Sequence, residues 1–179
     1  MNSQNVYRRK YLKALETLVY LANKDRRQYW ILKAIYLADK EHLKRYGRQI
    51  FGDRYIAMEL GPVPSLAYDI VKSVRENAAG YYFPEPNPAT ALKAPDNRTV
   101  LVSRKANMDL LSASEINCLD NAYEMIKDLS FQEVKELTHD AAYDAVEQDE
   151  DMSIKAIIET LENGKEVLDY ICTCLASKS

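Results

Sequence analysis

The stretch from Tyr36 to Tyr68, YLADKEHLKRYGRQIFGDRYIAMELGPVPSLAY, constrains the fold more than any other part of the chain. It completes an amphipathic helix whose apolar stripe is Leu32, Ile35, Tyr36, Leu43 and Tyr46. That helix stops at Gly47, because a glycine just past the last turn can take the left-handed conformation. Lys33, Lys40, Glu41, Lys44 and Arg45 fall mostly off the stripe, and Glu41 and Arg45 form a favourable i,i+4 pair. Asp25 is the expected N-cap. A Gly52-Asp53 turn then leads into a short strand over Arg54–Met58, where Tyr55 and Ala57 alternate with Ile56 and Met58. Gly61-Pro62-Val63-Pro64 forces an extended path, since each proline excludes its predecessor from the helical region. Pro64 suits the first turn of a helix running from Ser65 to about Asn77, with Leu66, Ile70 and Val74 turned inward.

Helical spacing precedes and follows this segment. Residues 4–23 place Tyr7, Tyr11, Leu15, Leu18, Val19 and Ala22 on one face. Residues 80–88 form a proline-rich loop. Two extended runs, Thr90–Ala94 and Thr99–Ser103, flank a Pro95-Asp96-Asn97-Arg98 turn and predict a β-hairpin. Ser114 or Ser112 caps a helix to about Leu129, and Ser130 with Glu133 makes a capping box for a short helix ending near His139. Asp140–Asp151 reads as an acidic loop with one helical turn. Ser153 caps a last helical stretch that resumes after Asn163-Gly164. The predicted fold is mainly α, a helical domain with one small inserted antiparallel sheet. A single domain over 1–179 is expected, with N-terminal helices and motif (1–79), loop and hairpin (80–104) and acidic C-terminal helices (105–179).

With 47 % apolar and 28 % charged residues, the composition is that of a water-soluble globular protein. No apolar run approaches the roughly 20 residues needed to cross a bilayer. The N-terminus lacks the apolar centre of a signal peptide. Three cysteines are too few and odd in number for a disulfide framework, so a reducing cytoplasm is the expected location. Net charge is −3 but uneven: residues 1–54 carry +8 and residues 105–179 carry −11. Such asymmetry implies a basic partner surface, an acidic one, or attraction between the two ends. Arg8, Arg9, Tyr11, Arg26, Arg27 and Tyr29 allow a nucleic-acid site, but the acidic pI argues against one. No membrane partner is expected, and a homo-oligomer is left open.

Chemistry is thinly represented. Asp39 and His42 lie one helical turn apart, which is the second half of a catalytic triad, or else a structural pair at the edge of a groove. No nucleophile motif accompanies them. Two histidines and Cys172-x-Cys174 make no zinc spacing. Helical geometry assigns Cys172 to the core and Cys174 to the surface. The acidic run Glu147–Asp151 lacks the glycine of a calcium loop. No metal, cofactor or catalytic residue is therefore expected. The 13 tyrosines suit either a core or a partner surface, with core favoured for Tyr36 and Tyr68.

The motif resembles that of the Panacea domain, the SocA-like antitoxin family of bacterial and phage toxin–antitoxin systems. Tyr36-Leu-Ala-Asp39-Lys-Glu-His42, Tyr46-Gly47, Gly52-Asp-Arg54-Tyr55, Gly61-Pro-Val-Pro-Ser65 and Tyr68-Asp69 carry the resemblance. A weaker likeness extends to Thr138-His139, and Tyr143 stands where the family tends to place a tryptophan. The resemblance implies a small cytoplasmic protein that neutralises a toxin encoded beside it, usually by binding it. An adaptor delivering a toxin to a cellular protease is the alternative, and an enzyme using an Asp39–His42 groove a third. The expected partner surface comprises Asp39, His42, Tyr46, Arg54, Tyr55, Gly61, Pro62, Val63 and Pro64, the prolines presenting a preformed apolar ridge. The acidic C-terminal third competes as a surface for a basic toxin.

Overall fold

A computed structural model describes residues 3–75 and 80–176. In chain order the elements are α1 (Ser3–Ala22), α2 (Gln28–Tyr46), β1 (Tyr55–Met58), β2 (Gly61–Pro64) and α3 (Ser65–Arg75). There follow β3 (Leu92–Lys93), β4 (Leu101–Val102), α4 (Ala113–Ile126), α5 (Phe131–Thr138) and α6 (Ala141–Asp144). Last come β5 (Asp151–Met152), α7 (Ile154–Glu159) and α8 (Gly164–Ala176). The fold is mainly helical with a small antiparallel sheet and a separate hairpin, as the periodicity predicts. The expected end of α3 at Asn77 lies outside the described residues, as does the side chain of Leu175.

α2 is the central element and packs along α4 more extensively than against any other. One apolar cluster joins Leu15 and Leu18 of α1, Ile31 and Ile35 of α2, Ile70 of α3 and Leu119 of α4, all fully buried or nearly so. A second gathers Tyr36, Tyr55, Ala57, Met152, Ile157 and Val167. Tyr36 and Ile35 are neighbours on α2, so this helix is the shared wall of both clusters.

The sheet is larger than the sequence implies. β2 pairs antiparallel with β1, placing Tyr55 opposite Pro64 and Ile56 opposite Val63, and β5 pairs with the other side of β1. Gly61–Pro64 is therefore a strand and not only an extended connection. It sits at the sheet edge, where prolines without N–H groups are tolerated. β5 emerges from the end of the acidic run that the sequence assigns to a loop.

Three further expectations are corrected. Asp25 does not cap α2: its carboxylate accepts the Arg27 backbone N–H at 2.9 Å and pairs with the Arg27 guanidinium at 2.5 Å. The hairpin closes that helix end, since Gln28 N–H donates to the Arg98 carbonyl at 2.7 Å. Lys33 is 1 % exposed, because the face off the apolar stripe is covered by β2 and α5. Cys172 is exposed while Cys174 is half-buried, the reverse of the expectation, because the faces of α8 turn the other way.

The charge asymmetry is met within the molecule. Lys24–Asp120 (3.0 Å), Lys40–Asp140 (2.5 Å), Arg48–Glu115 (2.8 Å) and Arg54–Asp151 (3.0 Å) join the basic to the acidic segment. Lys13–Glu115 and Lys44–Glu162 do the same.

Candidate functional site

Asp39 and His42 both face inward, and each has its own partners. The Asp39 carboxylate, 1 % exposed, accepts the Ile50 backbone N–H at 2.7 Å, the Tyr55 hydroxyl at 2.8 Å and the Gln49 amide at 3.1 Å. Burial pushes this carboxyl up to about 6, with the three hydrogen bonds opposing. His42 is fully buried, and its Nδ1 lies 2.8 Å from the Arg48 carbonyl. A carbonyl can only accept, so Nδ1 carries the proton and Nε2 faces Ser114 Oγ at 3.4 Å. Burial lowers the ring's pKa. The expectation of a groove shared by Asp39 and His42 is thus corrected: they hold the Gly47–Asp53 loop from within. Asp53, quoted in the motif without a role, serves the next junction. Its two carboxylate oxygens accept Leu66 N–H at 3.0 Å and Ala67 N–H at 3.1 Å, capping α3.

Of the other predicted residues, Tyr55, Gly61, Pro62, Val63 and Pro64 are also buried. The expected exposed proline ridge is not formed, because β2 lies under α2 and α5. Gly61 has φ +96°, and a Cβ there would stand 2.8 Å from both Lys33 Nζ and His139 Cδ2. Only glycine permits that approach. Tyr46 and Arg54 remain accessible: Tyr46 is 44 % exposed with its ring 4.6 Å from that of His42 and tilted to it, and the Arg54 guanidinium is mostly solvated.

The buried β1–β2 hairpin shapes an opening beside it. A groove of about 720 Å³ is bounded by Tyr29, Trp30 and Phe131 on one wall and by Met58, Leu60 and Val63 on another. Volumes of this order are typical of binding clefts. Tyr29 donates to the Leu60 carbonyl at 3.2 Å and Tyr143 to the Met58 carbonyl at 3.0 Å, so the hairpin tip is fixed from two sides. Trp30 Nε1 donates to the Ile126 carbonyl at 3.2 Å, which anchors the other wall. Lys33 lies beneath: Nζ donates to the Pro62 carbonyl at 2.9 Å and sits 5.1 Å from the Tyr29 ring centre. Burial, with help from Lys135, pulls its ammonium down to about 7. The His139 ring lies 4.0 Å from that of Tyr143, tilted by 34°, and its buried Nε2 has no hydrogen-bond partner. Among the described residues, no group of three or more His, Cys, Asp or Glu converges as metal ligands would.

The sequence reading does not find this groove. Of its lining, only Val63 belongs to the predicted surface. Tyr29 and Arg27 enter that reading only as possible nucleic-acid contacts, and Lys33 only as a solvated charge. The available signal is that Tyr29, Trp30 and Phe131 are large aromatics near the starts of α2 and α5, where helix ends commonly border clefts.

Residues 31–144 match the family model described as antitoxin SocA-like, Panacea domain. The matched span runs from α2 through the motif to the end of α6 and contains Lys33, the β1–β2 hairpin and His139. No curated protein and no solved structure matches the chain.

Proposed function

Because the chain belongs to the SocA-like antitoxin family defined by the Panacea domain, we propose that it neutralises a cognate protein toxin by binding it directly in the cytoplasm. The observation that carries this reading is the division of labour between the motif and its surroundings. The polar motif residues Asp39, His42, Asp53 and Tyr55 are engaged internally, whereas exposed Leu60 and Phe131 and half-buried Tyr29, Trp30 and Met58 line the neighbouring groove. A catalytic Asp–His pair would need the carboxylate on the imidazole, and here each serves a separate loop contact. The chain acts as a binding module and not as an enzyme. No helix among the described residues is long and apolar enough to cross a membrane, which suits that location.

Co-expression with the toxin encoded beside it tests the reading. Rescue of growth, with the two proteins co-purifying and the toxin level unchanged, is the expected outcome. Rescue that vanishes in cells lacking a cellular protease, with the toxin disappearing in its presence, would identify an adaptor instead. A purified protein that chemically reverses the toxin's effect and loses this in Asp39→Asn or His42→Ala would make it an enzyme.

A further inference from the structure

The groove beside α2 carries an unmet hydrogen-bonding demand as well as apolar walls. Gln28 lines it and is 6 % exposed, yet its buried Oε1 has no partner. A buried acceptor left unpaired is costly, and it calls for an N–H or O–H donor from whatever occupies the groove. Leu60 and Phe131, each 41 % exposed, face solvent at its edges. Tyr29 lies 4.6 Å from Phe131 and 5.5 Å from Trp30, so the aromatic wall is continuous.

Charge narrows the occupant. Arg27 is committed to Asp25 and to the Lys127 carbonyl, and Lys33 to the Pro62 carbonyl. Arg98 is exposed and forms no ion pair among the described residues, although its backbone N–H donates to the Asp96 carboxylate at 2.8 Å and its charge reaches that group; the exposed Glu59 lines the groove as well. One exposed guanidinium at the rim, with Glu59 in the same lining, matches a single carboxylate better than a polyphosphate, which would require several cations and would meet that acid.

We infer that the groove seats an extended segment of the partner protein bearing an apolar or aromatic side chain next to an acidic one. The apolar side chain enters between Leu60 and Phe131, a backbone N–H of the segment donates to Gln28 Oε1, and the carboxylate pairs with Arg98. A peptide offers all three groups within two residues, which is why it fits better than an apolar small molecule. This assignment rests on the direct-binding reading above and names the chemistry that reading leaves open.

The chain's single tryptophan, Trp30, lines the groove, so its fluorescence reports occupancy. The full chain is titrated with capped tripeptides of sequence Asp-Phe-Glu, Lys-Phe-Lys and Asp-Ala-Glu, and with adenosine monophosphate. A saturable change with the first and at least about tenfold weaker binding of each of the others is expected, a tenfold change being about 1.4 kcal/mol. Arg98→Glu, on an exposed side chain, should reverse the preference toward the lysine peptide. Equal binding of the charge-swapped or alanine peptide overturns the inference, as does an Arg98→Glu variant that keeps the original order. A response to the nucleotide alone assigns the groove to a small aromatic anion and overturns it as well. With the toxin itself, co-purification lost in Arg98→Glu and Leu60→Asp supports the inference. Co-purification retained in both overturns the groove while leaving direct binding standing, and a toxin that never co-purifies with the wild type overturns direct binding.

Discussion

Lys33 and Gly61 depend on each other at the closest point between α2 and β2. The lysine gives the Pro62 carbonyl a donor that no neighbouring strand supplies, and the glycine leaves room for it. Holding Lys33 there pulls its ammonium down to about 7, from the ordinary 10.5 of the unfolded chain. Between those values the unfolded state binds more protons, so stability rises with pH from about 7, by at most about 1.4 kcal/mol per pH unit. Above about pH 10 the raised tyrosine hydroxyls of Tyr36 and Tyr55 act oppositely, since the unfolded chain ionises first. The melting temperature should therefore climb between pH 7 and pH 9 and stay nearly flat in Lys33→Met. A flat wild-type profile over that range would contradict a buried lysine. Gly61→Ala combines φ +96° with a Cβ 2.8 Å from Lys33 Nζ and should cost about 2–3 kcal/mol in urea unfolding. Gly47→Ala meets only the ring of Tyr170, which is 57 % exposed and able to swing aside, so about 1 kcal/mol is expected. Equal losses in the two variants would show that contact with Lys33 and His139 is not what distinguishes them.

Helix ends are secured by side chains at the junctions the motif builds. Ser112 and Ser130 form reciprocal capping boxes with Glu115 and Glu133, and Asp53 caps α3 from across the preceding strands. The last of these is long-range, because Asp53 lies 13 residues before Leu66. Asp53→Ala thus unties α3 from the loop as well as exposing two amide groups. It should cost about 2 kcal/mol, the upper end of the range for caps, against about 1 kcal/mol for Ser130→Ala at an exposed helix start. Urea denaturation of the two variants checks the order, and a smaller loss for Asp53→Ala would contradict its role as a cap.

Across the whole molecule, the positive N-terminal third and the negative C-terminal third hold each other, but unequally. Glu115 is fully buried and receives both Lys13 and Arg48, together with the Ser112 N–H at 2.8 Å. These contacts keep its carboxyl below the usual range even though burial opposes them. Replacing it by alanine removes the reciprocal cap of α4 and both ion pairs, while Lys13 and Arg48, 28 % and 51 % exposed, can turn to water, so about 2 kcal/mol is expected. The Arg54–Asp151 pair is solvated on both sides, and Arg54→Ala should change stability by less than about 1 kcal/mol. Thermal unfolding of both variants, with and without added salt, checks the contrast: only the exposed pair should respond strongly to ionic strength. Arg54→Ala also separates two surfaces. If toxin binding falls while stability holds, the partner reaches past the groove to the solvated residue that precedes β1.

Periodicity and local punctuation determined much of this fold. The α2 stripe, the stop at Gly47, the capping serines and the turn between β3 and β4 are all set by residues within a few positions of where they act. The motif likewise placed the chain in its family, since that likeness is carried by adjacent residues. The tertiary structure decided what those residues face. Asp39 reads as a groove acid until Tyr55 and the Ile50 amide close over it, and Lys33 reads as a solvated charge until β2 covers it. Gly61–Pro64 reads as an exposed ridge, whereas its prolines sit at a sheet edge buried under α2. Each of these outcomes turns on partners 10 to 30 positions away, at Ile50, Tyr55 and Pro62. The groove draws on still more distant segments, bringing Tyr29, Leu60, Arg98 and Phe131 together only when four separate segments pack. Local spacing constrains backbone geometry, but burial and hydrogen-bond pairing belong to the assembled chain.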